Sequence, residues 1–197
     1  YPYTLRISLR SFSDIFFNFT CCATAMPPVV DFSITMFGGY TYVDASLSND
    51  LYLHDASDLT SGKSELRATN GAQLPGTPKN TINIGAKHEQ ILDSGLLLIT
   101  RVDGYYQSDV ENSILNIDPD WATTLDGFDL WFMSTTLVAD HWTASLVAKN
   151  LFNERGTVAT YKEEYMTSDV VNGFYGTGQK DFITAPRTIT LKASYRF

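Results

Sequence analysis

The segment of this chain that comes nearest to a chemical motif is Gly173-Phe-Tyr-Gly-Thr-Gly-Gln-Lys180. Closely spaced glycines let backbone N–H groups approach phosphate oxygens, and a lysine supplies the charge. Here the lysine is displaced by one position, no Ser or Thr follows it, and no helical pattern comes after. The segment therefore reads as a surface loop. Asp118-Pro-Asp-Trp-Ala-Thr-Thr-Leu-Asp126 approaches a calcium loop, but its fifth position is Ala122 and the glycine and closing glutamate are absent. His54, His88 and His141 are scattered, and Glu163-Glu164 are neighbours whose side chains point apart on an extended chain. Cys21 and Cys22, the two cysteines, are adjacent, and adjacent thiols supply half a metal site at most. No catalytic residue, metal site or cofactor is expected, and the chain is not expected to be an enzyme.

A binding role is easier to build. Tyr161, Tyr165, Phe174 and Tyr175 fall in one long linker among Lys162, Glu163, Asp169 and Lys180. Aromatic faces interleaved with charges can stack on and clasp a small molecule, whose identity the sequence does not disclose. Nucleic acid is not an expected partner. The 197 residues carry 22 acidic against 14 basic side chains, a net charge of -8, whereas phosphate backbones attract a basic footprint. With 44% hydrophobic and 13% aromatic residues but 18% charged, the chain has the composition of a folded body. Its longest clean apolar run, Leu96 to Ile99, is far short of the roughly 18 residues of a membrane helix.

The elements that would position these residues are strands. From Lys79 to Gln90, Ile82, Ile84, Ala86 and His88 alternate with Thr81, Asn83, Gly85, Lys87 and Glu89. At the end of the chain Ile189, Leu191, Ala193, Tyr195 and Phe197 alternate with Thr188, Thr190, Lys192, Ser194 and Arg196. Period two over such lengths predicts half-buried strands. Gly95 to Gln107 and Trp142 to Lys149 repeat the pattern, while Ile34 to Ala45, Gly127 to Ala139 and a segment from Thr4 to Thr20 are further strand candidates. The linkers alternate in length: long at 46–78, short at 91–94, long at 108–126, short at 140–141 and long at 152–185. Antiparallel hairpins with long loops at one end and tight turns at the other are the arrangement of an outer-membrane barrel. On that reading Lys87, Arg101, Asp103 and Lys149 face a wet lumen, where charge is tolerated, and aromatics near strand ends sit at the membrane interfaces.

Four segments carry a family resemblance: Gly39-Tyr-Thr-Tyr-Val-Asp44, Leu74-Pro-Gly-Thr-Pro-Lys79, Val147-Ala-Lys-Asn-Leu-Phe-Asn153, and Ala185-Pro-Arg followed by a strand ending in Tyr195-Arg-Phe197. In order and spacing they resemble the carboxyl-terminal barrel strands of TonB-dependent outer-membrane receptors. The resemblance implies an all-β, antiparallel transmembrane barrel of about 22 strands, closed around an amino-terminal plug, of which this chain would supply about six or seven. It implies that Ala193, Tyr195 and Phe197 match the signal read by the barrel-assembly machinery. It also implies outer-membrane lipid as a partner, and contact with the TonB complex only through a plug that this chain lacks. Residues 1–28 match nothing in the pattern and are left unassigned, with 29–197 as the receptor portion.

The expectation is thus an outer-membrane receptor or transporter fragment in a bacterial cell, taking up a scarce ligand such as a ferric siderophore, cobalamin or an oligosaccharide. Two alternatives accompany it. One is a small self-contained outer-membrane barrel, acting as an adhesin or passive channel. The other is a soluble β-sandwich that binds sugars, since alternation alone serves a sandwich as well as a barrel.

Overall fold

In the computed structural model, which describes residues 7–24, 31–54, 64–114, 123–162 and 179–197, every regular element is a strand. In chain order these are β1 (Ile7–Thr24), β2 (Asp31–Leu47), β3 (Leu51–His54), β4 (Ser64–Ala68), β5 (Asn80–Ile91), β6 (Leu97–Gln107) and β7 (Val110–Glu111). They continue with β8 (Thr124–Leu125), β9 (Phe128–Val138), β10 (Trp142–Lys149), β11 (Thr157–Lys162), β12 (Gln179–Ile183) and β13 (Thr188–Tyr195). Seven of them form one antiparallel sheet in the order β1-β2-β5-β6-β9-β10-β13, and β3-β4, β7-β8 and β11-β12 are separate two-stranded ribbons. Each ribbon lies within one of the three long connections, so all three ribbons stand at the same end of the sheet.

The tight turns at the opposite end follow from local chemistry. Gly95 adopts φ 78° and its amide donates to the Leu92 carbonyl at 2.8 Å, a left-handed conformation that glycine enters without a Cβ penalty. The two-residue turn Asp140-His141 is closed by the Ala139 amide on the Trp142 carbonyl at 2.9 Å.

Register sorts the side chains onto two unlike faces. Met36, Ala86, Val102, Met133, Ala148 and Ile189 lie side by side across β2, β5, β6, β9, β10 and β13. The adjacent row on the opposite face reads Thr35, Lys87, Arg101, Ser134, Val147 and Thr190. On that polar face Lys87 pairs with Glu89 at 3.2 Å, and Arg101 makes a two-pronged contact with Asp103. The hydrogen bond to Asp103 raises the Arg101 guanidinium above its ordinary value; partial burial opposes the shift and the carboxylate's charge adds to it. The Arg101 guanidinium also lies 5.0 Å above the Phe37 ring, which covers Gly85 where a side chain would otherwise stand.

Burial is concentrated away from the middle of the sheet. Among the residues whose burial is described, the buried apolar ones are Ala45, Leu47, Ala68, Ala72, Val110, Leu125 and Phe128, all at the ribbon end. Leu47, Ala68 and Ala72 form a small cluster with Leu51 and Ile114 packed against it. Backbone bonds lock it: the Leu47 amide reaches the Ala72 carbonyl at 2.8 Å, the Gly71 amide returns to the Leu47 carbonyl at 2.8 Å, and the Leu74 amide reaches Ala45 at 2.9 Å.

This topology corrects the receptor expectation. Seven strands in a row end at β1 and β13, which do not pair, so the described residues form a small open sheet with three ribbons and no closed barrel. A transmembrane barrel must close, because an open edge leaves backbone N–H and C=O groups unsatisfied in hydrocarbon. With closure gone, so are the grounds for a bacterial outer-membrane location, for TonB-coupled transport and for partnership with outer-membrane lipid, the barrel-assembly machinery or the TonB complex. The segment left unassigned at 1–28 also changes character, since Ile7–Thr24 is the first strand of the main sheet and pairs with β2 along its length.

Gly85→Ala places a methyl group against the Phe37 ring and forces it out from beneath Arg101. Urea unfolding followed by tryptophan fluorescence should show a loss of roughly 1–3 kcal/mol, the usual cost of overpacking. An unchanged midpoint would mean that Phe37 is not held over Gly85.

Candidate functional site

The ribbon end is organised by the turn that follows β10. Asn150 and Asn153 are the non-glycine residues with positive φ among those described, at 50° and 58°. Asparagine tolerates the left-handed region better than other side chains, and its amide can bond locally. Asn150 is 4% exposed, and its side-chain nitrogen donates to the carbonyls of Glu154 at 2.8 Å and Ala185 at 2.7 Å. Its side-chain oxygen accepts from the Glu154 amide at 2.8 Å. Asn153 accepts from the Arg187 amide at 3.0 Å, and the Leu151 amide donates to Trp131 at 2.7 Å. Two asparagines therefore tie the β10 turn both to itself and to the chain entering β13.

The tied segment delivers Glu154, Arg155 and Gly156 to one wall of a cleft of about 420 Å³. Gly156 packs so closely on the root of the Phe128 side chain that a Cβ has no room, and its carbonyl accepts from the Thr184 amide at 2.9 Å. The opposite wall is the segment from Thr123 to Gly127. Gly127 is required there because a Cβ would stand 2.6 Å from the Gln107 carbonyl oxygen. Thr160 and Asp181, from β11 and β12, complete the lining. The Thr160 hydroxyl donates to the Asp181 carboxylate at 2.7 Å, and the Thr160 amide donates to Asn112 at 3.3 Å. On the rim, Thr124 donates to the Glu111 carboxylate at 3.2 Å.

Chemically the cleft offers three carboxylates, Asp126, Glu154 and Asp181, several threonine hydroxyls and one cation, Arg155. Such a lining is rich in hydrogen-bond acceptors, with hydroxyls able to donate or accept. Among the described residues no group of three or more His, Cys, Asp or Glu is placed to hold a metal ion.

The residues singled out from the sequence are dispersed. Tyr161 lies in β11 with its backbone opposite Lys180 in β12, whereas Tyr165, Phe174 and Tyr175 lie outside the described residues, as do Glu163, Glu164 and most of the glycine-rich segment. Lys87, Arg101 and Asp103 share the polar face of the sheet, and Lys149 joins them at the end of β10, opposite Thr188. That face belongs to an open sheet, so it encloses no lumen. Ala193 and Tyr195 lie on edge strand β13 with Phe197 just beyond, and the Tyr195 and Phe197 rings are 5.1 Å apart. His88 lies near Phe32, and His141 near Tyr195, with ring centroids 6.1 and 6.5 Å apart. The cleft joins two linkers: Thr124 and Asp126 belong to the segment weighed as a calcium loop, whereas Glu154, Arg155, Thr160 and Asp181 went unnoticed because they lie far apart in the connection between β10 and β13. The readable signal was the pair of asparagines in Asn150-Leu-Phe-Asn153, a turn signature that fixes the neighbouring wall.

No family model, curated protein or solved structure matches this chain. The open sheet, which no barrel closes, overturns the resemblance to TonB-dependent receptors, and its motifs have local explanations. Asn150-Leu-Phe-Asn153 and Ala185-Pro-Arg187 are the two halves of the hydrogen-bonded turn. Leu74-Pro-Gly-Thr-Pro-Lys79 is the strap that bonds to the end of β2, with Gly76 at φ 67° donating to Glu111 at 2.9 Å.

Replacing Asn150 with Ala removes three part-buried hydrogen bonds and leaves the Ala185 carbonyl without this donor. Chemical denaturation should register a loss of roughly 2–3 kcal/mol, from bonds worth about 1 kcal/mol each. A loss below the cost of one such bond would show that the turn does not depend on this side chain.

Proposed function

We propose that this chain is a binding module, without catalytic activity, whose ribbon-end cleft takes a polyhydroxylated ligand, most simply a neutral saccharide. The observation that carries the reading is the Thr160–Asp181 pair at 2.7 Å, a carboxylate held by a hydroxyl on the wall of a cleft that also offers Asp126, Glu154, further threonine hydroxyls and Arg155. Vicinal hydroxyls on a sugar each donate and accept. A fixed carboxylate beside threonine hydroxyls can take two of them with little ordering cost, because its own geometry is already set. Gly127 adds exposed backbone beside Asp126. The small open β-sheet domain suits a sugar-binding role better than transport.

The charge balance narrows the ligand. Three carboxylates face one Arg155 in the cleft, and the whole chain carries a net charge of -8, so acidic saccharides are disfavoured and neutral or amino sugars are admitted.

Titrating labelled protein with a panel of neutral, amino and uronic-acid oligosaccharides, followed by backbone NMR, tests this. Shifts should concentrate on Thr124, Gly156, Thr160 and Asp181 for the neutral and amino sugars and be absent for the uronic acids. Thr160→Val, which keeps the shape but removes the hydroxyl that bonds Asp181, should weaken binding roughly tenfold, the worth of a hydrogen bond to a charged group. No shifts at millimolar sugar, or shifts elsewhere on the molecule, would overturn the assignment.

A further inference from the structure

Among the described residues, nothing is laid over the apolar face of the main sheet. Ile34, Met36, Ile82, Ile84, Leu146 and Leu191 are all exposed, Leu146 by 51% and Leu191 by 75%, and register places them on the same side. All but one of the exposed large hydrophobic residues in β2, β5, β6, β9, β10 and β13 lie on this face, the exception being Ile91 at a strand end. The acids of this face among the described residues are Asp44 and Asp129, both toward the ribbon end, and Asp129 accepts from the Trp131 indole at 2.7 Å. A contiguous apolar surface of this extent is larger than an ordinary monomer leaves in water.

We infer that a second copy of this chain covers the face, the two sheets packing as the layers of a β-sandwich. Area favours this occupant. Six strands about 4.8 Å apart and about eight residues deep at about 3.3 Å each present roughly 750 Å² per copy, which matches the roughly 800 Å² per partner of a stable dimer. Charge favours it too. Self-packing brings two surfaces of few charges together, whereas the opposite face would bury Lys87, Glu89, Arg101, Asp103 and Lys149 of both copies. A two-fold axis running parallel to the strands between β6 and β9 lays β10 of one copy over β5 of the other. That brings Leu146 beside a hollow of about 190 Å³ lined by Met36, Ile84, Ala86, Val102 and Trp131 together with Phe37 and Gly85. Sheets stacked about 10 Å apart interdigitate side chains in this way. The inference does not depend on the saccharide cleft, which lies at the ribbon end.

The test is sedimentation equilibrium of the full chain without detergent, over a wide concentration range. The expected result is twice the chain mass of 22.0 kDa, with Leu146→Glu and Ile84→Glu shifting the chain to monomer while amide exchange shows the sheet intact. A measurement on the unaltered chain guards against variants that fail to fold: peroxide should oxidise Met36 and Met133 several-fold more slowly at concentrations where the dimer forms. A chain of monomer mass at every concentration would overturn the inference. So would one that stays dispersed only with bound detergent, a dimer that both variants leave intact, or methionines that oxidise equally fast at all concentrations.

Discussion

A single antiparallel layer satisfies the backbone of its inner strands and leaves two faces and two edges to be dealt with. That constraint governs the rest of this molecule. The ladder from β1 to β13 pairs the inner strands on both sides, so strand positions need no deep core to be defined. The faces are dealt with differently. One carries lysine, arginine and carboxylate pairs that water solvates; the other carries isoleucine, leucine and methionine with nothing from the described chain laid over them.

The buried cluster lies at the end of the sheet. Leu47, Ala68 and Ala72 pack where the longest connections leave and return, and the asparagine-tied turn after β10 braces the same end. Rigidity there has a consequence for chemistry. Glu154, Arg155, Thr160 and Asp181, from the connection between β10 and β13, meet Thr124 and Asp126 from the connection between β6 and β9, which is useful only if both connections are held. The hydrogen bonds of Asn150, Asn153 and Thr184 hold them, and Gly127 and Gly156 let the walls come close.

Much of the strand pattern was legible because period two is a direct imprint of a pleated surface with unlike faces. The alternation of Ile82, Ile84 and Ala86 with Asn83, Gly85 and Lys87 places β5 within a residue or two, and the final alternation does the same for β13. Closure was not legible. The same alternation serves a barrel, a sandwich and an open sheet, since what distinguishes them is whether the outermost strands meet, a long-range pairing that leaves no local mark. Reading Lys87, Arg101 and Asp103 as lumen residues assumed that closure. The cleft was hidden for a related reason: Thr160 and Asp181 are neighbours only because β11 and β12 pair. Asn150 and Asn153, by contrast, act through local backbone conformation, and their tetrapeptide was visible as a motif even while its meaning was assigned to a family rather than to a turn.

The central claim is that the main sheet is an open layer ending at β1 and β13. Backbone NMR with cross-strand nuclear Overhauser contacts tests it most directly. Contacts should run from β2 to β5, β6, β9, β10 and β13 in the register described, for example between Arg101 and Ser134, while β13 shows none to β1 of the same chain. Regular contacts between β13 and β1 within one chain would close the sheet and contradict the account.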